Sequence, residues 1–415
     1  MRICIHRGAH QIGGSCVELE ARGKRLVLDL GLPLDAEANL PGLVPAIPGL
    51  REPSDSLLGV LVSHPHQDHY GLLNHVRPDL PVAMGVAARR ILEAAAPWMP
   101  RGAVVPNAGP VLRDQATFRW GPFKITPYLV DHSAYDGYAL LIEAEGRRVL
   151  YSGDFRGHGR TAWRFERMVE RPPRRVDVLL MEGSSLGRSG LEARFQTEDE
   201  LEEEMVRAFQ ATEGFALVCA SSQNIDRIVT VFRAAKRAGR QLVIDLYTAV
   251  VLEATGNQGI PQSDWAQVAL FLPSYQKDKV IRRKWFGLLN RHWHHRIYPE
   301  QLSRVASSSV LLFRERHQGQ LEAGQALGGA RLFYSMWEGY LKQGSGLALR
   351  AWAEAQGIPM QNLHTSGHAS PADLKRFAMA IDPGVLVPIH SFQPERYGEL
   401  FPRVERHGDG EWWEV

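Results

Sequence analysis

Residues 64–69 read His64-Pro65-His66-Gln67-Asp68-His69 and directly follow the apolar run Leu57-Leu58-Gly59-Val60-Leu61-Val62. This stretch holds four potential metal ligands within six residues. In an extended segment, side chains two positions apart point to the same face, so His64 and His66 can bind one ion while Asp68 and His69 turn towards another. The alternative is a solvated histidine-rich turn, but four ligand-type residues at one strand end favour metal. One short loop therefore predicts the start of two metal sites.

The chain has 415 residues, 44% of them hydrophobic, which is enough for two domains or for one domain with a large insertion. Its three cysteines lie far apart, so neither a disulfide framework nor a cysteine zinc cage is predicted, and a reducing cytoplasm suits them. The start lacks the apolar core of a signal peptide, and no stretch approaches the roughly 18 apolar residues of a membrane span. We expect a cytoplasmic protein with no membrane partner.

The first 180 residues contain short aliphatic runs separated by Gly, Pro and Asp, a pattern typical of strands. Strands are predicted at Arg2–His6, Cys16–Glu20, Arg25–Asp29, Leu57–Val62, Phe123–Pro127, Ala139–Glu143, Arg148–Tyr151 and Val176–Met181. Helical patterns are few and lie around Tyr70–Val76 and Val86–Ala95. This layout predicts an α/β fold of two sheets with helices outside them.

The pattern changes near residue 190. Thr197 and Glu200 form a predicted capping box that opens a helix through Gln210. Another helix is predicted at Asn224–Arg237. Further strands are predicted at Phe215–Ala220, Gln241–Leu246, Val310–Phe313 and Arg331–Tyr334, before His364, and at Val385–Pro388.

Three more ligand-type residues stand where predicted strands end, namely His132, Asp154 and His390. Each histidine alone would more often be structural, because the chain has 16 histidines. Together with the 64–69 string, however, the three residues favour a metal centre. Asp29, also at a strand end, can orient a ligand histidine through a hydrogen bond.

These motifs resemble those of metallo-β-lactamase-fold hydrolases and, more narrowly, of the β-CASP nucleases, a group that includes ribonuclease J and the endonuclease subunit of the polyadenylation machinery. Asp29 falls on the first motif of that family, the 64–69 string on the second, His132 on the third and Asp154 on the fourth. The β-CASP motifs A, B and C correspond to Glu182, His368 and His390.

The resemblance implies a metallo-β-lactamase αββα sandwich with an inserted α/β β-CASP domain. The implied boundaries are 1–189 for the first part of the metallo-β-lactamase domain, 190–349 for the β-CASP insertion and 350–415 for the return segment.

The resemblance also implies two zinc ions, with manganese as an alternative metal. It assigns His64, His66 and His132 to one ion, Asp68, His69 and His390 to the other, and Asp154 to a bridging position. Two ions about 3.5–4 Å apart can share a hydroxide and stabilise charge during in-line phosphoryl displacement. The expected activity is hydrolysis of RNA phosphodiester bonds, with endonucleolytic and exonucleolytic cleavage both open.

Catalytic roles are implied for Asp68, His368 and Glu182, and substrate contacts for Ser366, Gly367 and His368. A purely structural acid stays open for Glu182, and a hydrogen-bonded turn histidine for His368. A histidine at motif C, here His390, goes with the RNA-acting members of the group rather than with its DNA-processing branch. The segment at residues 221–227 resembles the β-CASP segment that holds nucleic-acid phosphates, which makes Ser222, Asn224 and Arg227 candidate contacts. Asn224 and Arg227 could equally cap and decorate a helix. The expected partner is single-stranded RNA, and a homodimer stays open.

Residues 275–298 carry seven Lys and Arg against one acid, a net charge of +6, interleaved with tyrosines and tryptophans. This composition suits a nucleic-acid strand, although a solvated helix face with its aromatics in the core fits equally well. The histidines at positions 292, 294 and 295 are expected to be surface or packing residues.

Four other functions stay open. The metal core alone would also serve a hydrolase of a small thioester or lactone, or a DNA nuclease of the same family. Gly183-Ser184-Ser185-Leu186-Gly187 fits the G-x-S-x-G pattern of serine hydrolases, which a chelator would not inhibit. A non-catalytic RNA-binding or scaffolding protein would bind without turnover.

Overall fold

The computed structural model describes residues 1–99, 102 and 105–415. Contacts divide the chain into two units, of which unit 1 comprises Met1–Phe195 and Gly367–Val415 and unit 2 comprises Gln196–Ser366. The domain boundaries implied by the family resemblance stay a prediction. Within the described residues, no helix combines the length and the apolar character that crossing a membrane requires.

The strands follow the sequence in short runs of buried residues. They are β1 Arg2–Arg7, β2 Cys16–Ala21, β3 Lys24–Leu28, β4 Leu57–Leu61, β5 Val82–Gly85, β6 Ala108–Leu112, β7 Phe118–Trp120, β8 Phe123–Leu129, β9 Tyr138–Ala144, β10 Arg147–Tyr151, β11 Val178–Met181, β12 Ala216–Cys219, β13 Gln241–Ile244, β14 Val268–Phe271, β15 Arg296–Ile297, β16 Ser309–Leu312, β17 Arg331–Tyr334, β18 Met360–Asn362, β19 Val385–Pro388 and β20 Trp412–Glu414.

The α-helices are α1 Gln67–Tyr70, α2 Val86–Ala95, α3 Trp163–Glu170, α4 Glu198–Gln210, α5 Ile225–Arg237, α6 Leu246–Ala254, α7 Ser274–Arg283, α8 Phe286–Arg291, α9 Leu302–Val305, α10 Gln318–Ala323, α11 Gly344–Ala355 and α12 Pro371–Ile381. The helix predicted around Tyr70–Val76 is wrong in its position, because α1 ends before Gly71 and a short 3-10 turn follows at Leu73–His75.

Unit 1 contains two sheets that share one core. Their strand orders are β20-β1-β2-β3-β4-β5-β6 and β19-β11-β10-β9-β8-β7. Side chains alternate along each strand, so Ile3 and Ile5 of β1 point into the same buried cluster as Leu140 and Ile142 of β9. The two sheets therefore pack face to face through their apolar sides.

Helices cover the outer faces of this sandwich. Phe165 of α3 and Phe377 of α12 pack on the outer side of the second sheet, and Leu92 of α2 packs on that of the first. The order of layers is thus helix, sheet, sheet, helix. The structure confirms the predicted α/β class and the αββα sandwich.

Unit 2 is built on a parallel sheet with the order β15-β14-β13-β16-β12-β17-β18. Strands such as β12, β14 and β16 are buried along their whole length, as expected where helices cover both faces. The strand predicted to reach Leu246 ends at Ile244, because Asp245 caps α6 by accepting a hydrogen bond from the Thr248 backbone N–H.

The predicted capping box opens α4. Thr197 Oγ1 accepts a hydrogen bond from the Glu200 backbone N–H at 3.1 Å, and Glu200 accepts one from the Thr197 backbone N–H at 2.8 Å. These two bonds satisfy backbone donors that a helix N-terminus otherwise leaves to water.

Thr197→Ala should lower the free energy of unfolding by about 1 kcal/mol, because it removes one of these bonds. Thr197→Ser should restore most of it. Chemical denaturation followed by circular dichroism measures both changes, and an alanine variant as stable as the wild type would contradict the role of the cap.

Candidate metal centre

The predicted ligands converge because of strand direction. β3 and β4 run parallel in the first sheet, and β8, β10 and β19 point the same way in the second. Their carboxyl ends therefore meet at one edge of the sandwich. Every predicted ligand follows one of these ends, and Asp29 follows another.

Three groups of side chains lie within coordinating distance of one another, and the third, formed by Asp154, Glu182 and His368, shares Asp154 with the second. The first is His64, His66 and His132, with the His132 Nε2 atom 3.1 Å from the His66 Nδ1 atom. A tetrahedral ion with ligands at about 2.1 Å places its donor atoms about 3.4 Å apart. The spacing therefore fits a shared cation.

The second group is Asp68, His69, Asp154 and His390. Asp154 Oδ2 lies 3.2 Å from His69 Nε2, 3.7 Å from His390 Nε2 and 3.5 Å from Nε2 of His64, which belongs to the first group. One carboxylate thus faces both groups, which is the arrangement that a bridging ligand requires.

These donor atoms are buried without partners. The Nε2 atoms of His64, His69 and His390 and both Asp154 carboxylate oxygens make no hydrogen bond to any described residue. Buried polar atoms left unpaired are costly, whereas a cation would satisfy all of them together. The chemistry and the geometry of the donor set therefore fit a divalent metal.

The charge states of four ligands suit metal binding. At His69, burial lowers the pKa, but Asp154 and Asp29 outweigh it and raise that pKa. Burial holds the pKa of His64 and His132 well below the usual value and lowers that of His66 to about 4, so these imidazoles are neutral. Burial opposes ionisation of Asp154, but the surrounding histidines, His390 first among them, outweigh it and lower the pKa of this carboxyl. Neutral imidazoles and a carboxylate are the forms that bind metal.

Asp29 organises two of the histidines. Its Oδ2 atom accepts hydrogen bonds from His69 Nδ1 at 2.7 Å, from Ser63 Oγ at 2.8 Å and from the Tyr151 hydroxyl at 2.6 Å. Ser63 Oγ in turn lies 3.0 Å from Nδ1 of His64. Because a proton on each Nδ1 leaves Nε2 free for a cation, Asp29 fixes the tautomer of both rings.

Two neighbours contact His390 Nδ1. The Ser15 Oγ atom lies 2.9 Å from it, and the Gly13 backbone N–H donates a hydrogen bond to it at 3.4 Å. Ser15 and His390 are both buried. Sequence reasoning missed Ser15, Ser63 and Tyr151, since a lone hydroxyl gives no signal until the fold brings it beside a ligand.

The backbone turns sharply where these ligands lie. Asp29, Gly153 and His390 have φ angles of 58°, 54° and 53°, in the left-handed region that costs non-glycine residues about 1–2 kcal/mol. A Cβ atom on Gly31 would lie 1.7 Å from the Asp68 carbonyl oxygen, so only glycine allows the ligand loop to approach so closely.

His368 lies at the rim of the cluster. Its Nδ1 atom is 3.2 Å from Glu182 Oε2 and 3.6 Å from Asp154 Oδ2, and its side chain is 26% exposed. Burial lowers the pKa of His368, but Glu182 and Asp154 outweigh that effect and raise it to about 9. Glu182 also accepts hydrogen bonds from the backbone N–H groups of Phe155 and Ser184, so it ties His368 to the Asp154 loop.

Ser366 and Gly367 directly precede His368 in the chain. A Cβ atom on Gly367 would lie 2.5 Å from Ser133 Oγ, beside His132, so a side chain has no room there. The substrate contacts inferred for Ser366 and Gly367 stay predictions.

The segment at 221–227 lies in unit 2, and its polar side chains make more contacts within the protein than the sequence predicted. Arg227 is fully buried, and its guanidinium donates to Glu198, Ser335 and the Thr365 carbonyl. A guanidinium whose donors are used in this way cannot reach a substrate phosphate, so the expected contact is wrong for Arg227. The predicted alternative, a structural role in the helix, holds instead.

The other two residues of that segment also have protein partners. Asn224 Oδ1 caps α5 by accepting a hydrogen bond from the Arg227 backbone N–H at 3.1 Å. Ser222 is buried, with its Oγ atom 2.7 Å from Thr248 Oγ1 and in contact with Arg314. Their substrate contacts stay predictions.

The basic segment at 275–298 forms α7, α8 and β15. Arg282, Arg283 and Lys284 are exposed, but the Arg296 guanidinium lies 3.6 Å from the Trp293 ring and 3.9 Å from the Tyr298 ring. These two aromatics are therefore occupied by the protein itself. His292 is buried against Ser263 at 2.8 Å, and His294 and His295 are exposed, as expected for packing and surface residues.

The serine of the serine-hydrolase pattern is not placed for catalysis. Ser185 is buried, and its hydroxyl has no hydrogen-bond partner in the part of the chain that the structure describes. A serine nucleophile needs an adjacent base, so this arrangement argues against that activity.

Known proteins are similar to this chain in sequence. Residues 11–184 match the Metallo-beta-lactamase superfamily. A protein named Ribonuclease J from Sinorhizobium meliloti is 24% identical over 372 residues, which cover 85% of this chain and 61% of that protein. Ribonuclease J from Mycoplasma pneumoniae is 22% identical over 94% of this chain and 67% of that protein. The chain thus spans about three-fifths of the length of the first relative.

A solved structure shares the whole fold. It is a protein of unknown function from Enterococcus faecalis V583, with a TM-score of 0.77, 20% sequence identity and 99% coverage of both chains. The fold and the ligand cluster are of the metallo-β-lactamase type, and residues 11–184 match that superfamily. Curated relatives named Ribonuclease J match most of the chain, which confirms the family resemblance of the motifs.

Tyr151→Phe should weaken zinc binding about tenfold, because the ring stays while the hydrogen bond that steadies Asp29 is lost. Titration against a chromogenic chelator measures the affinity. Tyr138→Phe is the matched control, since Tyr138 donates a similar bond, 2.7 Å long, to Asp136, which caps α2. Equal losses in both variants would contradict the role given to Tyr151.

Proposed function

We propose that the protein is a metal-dependent hydrolase of RNA phosphodiester bonds. The observation that carries the proposal is the convergence of seven ligand-type side chains in unit 1, several of which have buried donor atoms without a hydrogen-bond partner among the described residues. The relatives named Ribonuclease J supply the substrate class. Single-stranded RNA is the proposed substrate, and His390 at motif C supports RNA over DNA.

Seven residues would hold two divalent ions, for which zinc is the proposed metal and manganese the alternative. Imidazole and carboxylate ligands suit both metals. When bound, the ions supply the water nucleophile and the positive charge that phosphodiester hydrolysis needs. The proposed ligands are His64, His66 and His132 for one ion, Asp68, His69 and His390 for the other, and Asp154 for both.

His368 is the proposed catalytic acid. Glu182 faces its Nδ1 atom, which leaves Nε2 available for the substrate. A protonated ring held in this way can donate a hydrogen bond to a phosphoryl oxygen and a proton to the leaving oxygen. Glu182 acts through His368 and is a positioning residue.

Asp68 combines two proposed roles. Its Oδ2 atom lies 3.9 Å from His69 Nε2 and 3.8 Å from His390 Nε2, and its side chain is 17% exposed. It is therefore the most accessible carboxylate of the second group, where it can hold metal and accept a proton from water.

Purified protein should cleave end-labelled single-stranded RNA, and a chelator should abolish cleavage. Zinc or manganese should restore it, whereas a serine-directed reagent should have no effect. Denaturing gel electrophoresis also distinguishes mononucleotide release from internal fragments. Protein that holds two metal ions and leaves RNA intact would refute the proposal and favour a small-molecule substrate.

Asp154→Asn should reduce both the metal content and the RNA cleavage rate by at least about a hundredfold, because it removes the charge that faces both ligand groups. Elemental analysis and the gel assay measure the two quantities. Asp199→Asn is a suitable control, since Asp199 is an exposed carboxylate in α4 of unit 2.

His368→Gln should lower kcat by about 10²–10⁴-fold, the range for loss of a general acid, and leave the metal content unchanged. Because glutamine cannot transfer a proton, a substrate with a better leaving group should recover much of the rate. A variant with full activity, or one that has lost its metal, would contradict the assigned role.

A further inference from the structure

An arginine-rich segment of unit 1 has no part in the proposed mechanism so far. Residues 156–175 contain seven arginines and two glutamates. Helix α3 lies in this segment and packs on the sandwich through Phe165 and Met168. The arginines on its other sides therefore need a different explanation.

Three of them line one cavity. Arg164, Arg167 and Arg171 are spaced by three and four residues, so they share one side of the helix. The cavity has a volume of about 80 Å³, and Leu129 and Met168 also line it. Because a cavity of about 10–15 Å³ holds one water, this space suits a group of several heavy atoms, such as a phosphate.

The positive charge at this cavity is only partly compensated. Arg167 forms a two-pronged pair with Asp114 at 2.8 and 3.0 Å. Glu166 of the same helix is paired with Arg376 at 2.7 Å. Arg164 and Arg171 form no ion pair with a carboxylate among residues 1–99, 102 and 105–415, and the buried Nε atom of Arg164 has no hydrogen-bond partner there either.

Neutral donors complete the cavity. Gln115 and Tyr128 line it beside the arginines. Burial raises the pKa of Tyr128, so its hydroxyl keeps its proton and can donate a hydrogen bond. Guanidinium, amide and phenol groups together match the oxygens of a phosphate.

An exposed aromatic ring stands next to this site. Trp163 is 57% exposed, and the guanidinium groups of Arg164 and Arg167 each lie 5.4 Å from its ring centroid. Single-stranded nucleic acids are bound by such pairs of a cationic site for phosphate and an aromatic face for a base.

The segment is fixed to the metal centre through Asp131, the neighbour of His132. The Asp131 carboxylate accepts hydrogen bonds from the Gly159 backbone N–H at 2.7 Å and from Thr161 Oγ1 at 3.0 Å. Leu129, which lines the cavity, precedes His132 by three residues, or about 10 Å of extended chain. A short RNA strand can span that length.

We infer that Arg164 and Arg171, with Gln115 and Tyr128, form a phosphate-binding subsite whose occupant is a backbone phosphate of the RNA strand. The identity of the occupant rests on the proposed function, whereas the affinity of the cavity for phosphate does not. Trp163 stacks with a base of the same strand. The subsite holds RNA beside the metal centre without taking part in bond cleavage.

The test is equilibrium binding of a short single-stranded oligoribonucleotide by the full chain, in chelator so that no cleavage occurs, at several salt concentrations. Arg164→Gln and Arg171→Gln should each weaken binding about tenfold. Each should also reduce the slope of log affinity against log salt by about 0.7, the effect of losing one phosphate contact. The matched control is Arg174→Gln, which removes an exposed arginine of the same segment outside the cavity.

Unchanged affinity in the two cavity variants, or an equal loss in Arg174→Gln, would overturn the subsite. Calorimetric titration with inorganic phosphate separates the two sources of the ligand. Phosphate binding that depends on Arg171, in a protein that binds no RNA, would overturn the RNA occupant and the proposed function together, while the phosphate site would stand. RNA cleavage by wild type with no effect of either variant would remove the subsite and leave the proposed function intact.

Discussion

The structure of unit 1 depends on the crowding of seven ligand side chains, most of which are buried. The Nε2 atoms of His64, His69 and His390 lie 3.2–3.7 Å from Asp154 Oδ2, and none of these atoms makes a hydrogen bond to a described residue. Without a cation, such an arrangement is costly, because each buried acceptor has lost its water. The fold can maintain this arrangement of ligand atoms only where covalent geometry and hydrogen bonds prevent the side chains from rotating away from one another.

The hydrogen bonds behind the ligands provide that restraint. Asp29 holds His69 directly and His64 through Ser63, and Ser15 holds His390. The left-handed turns at Asp29 and His390 provide the remaining restraint on the ligands, since each turns the chain directly after a strand. These turns are unfavourable in isolation, so the strands on either side must determine them.

The sequence predicted the metal ligands and the strands that carry them better than the residues that hydrogen-bond to those ligands. The 64–69 string was informative because four ligand types in six residues are rarely structural, and β17, β19 and α2 were predicted with the bounds that they have. Tyr151 could not be recognised, because its partner Asp29 lies 122 residues away in the chain. Helix α6 was missed because its sequence is apolar on every side and shows no period.

Arg227 was misread because its partner Glu198 is buried only in the folded unit.

The metal ligands alone do not determine the substrate, since the same donor set can activate water against many electrophiles. A protein distinguishes a polymeric substrate from a small one by contacts with parts of the substrate that lie beyond the reacting bond. A cavity lined by Arg164 and Arg171 is of little use to a small thioester or lactone held at the ions, but it adds binding energy for a chain with a phosphate at every unit. Because hydrogen bonds from Gly159 and Thr161 to Asp131 tie this helix to His132, the contact and the centre keep a fixed separation. A fixed separation between the cavity and the metal centre selects a substrate whose phosphates are spaced to match it. The chemistry of the metal ligands cannot make that selection.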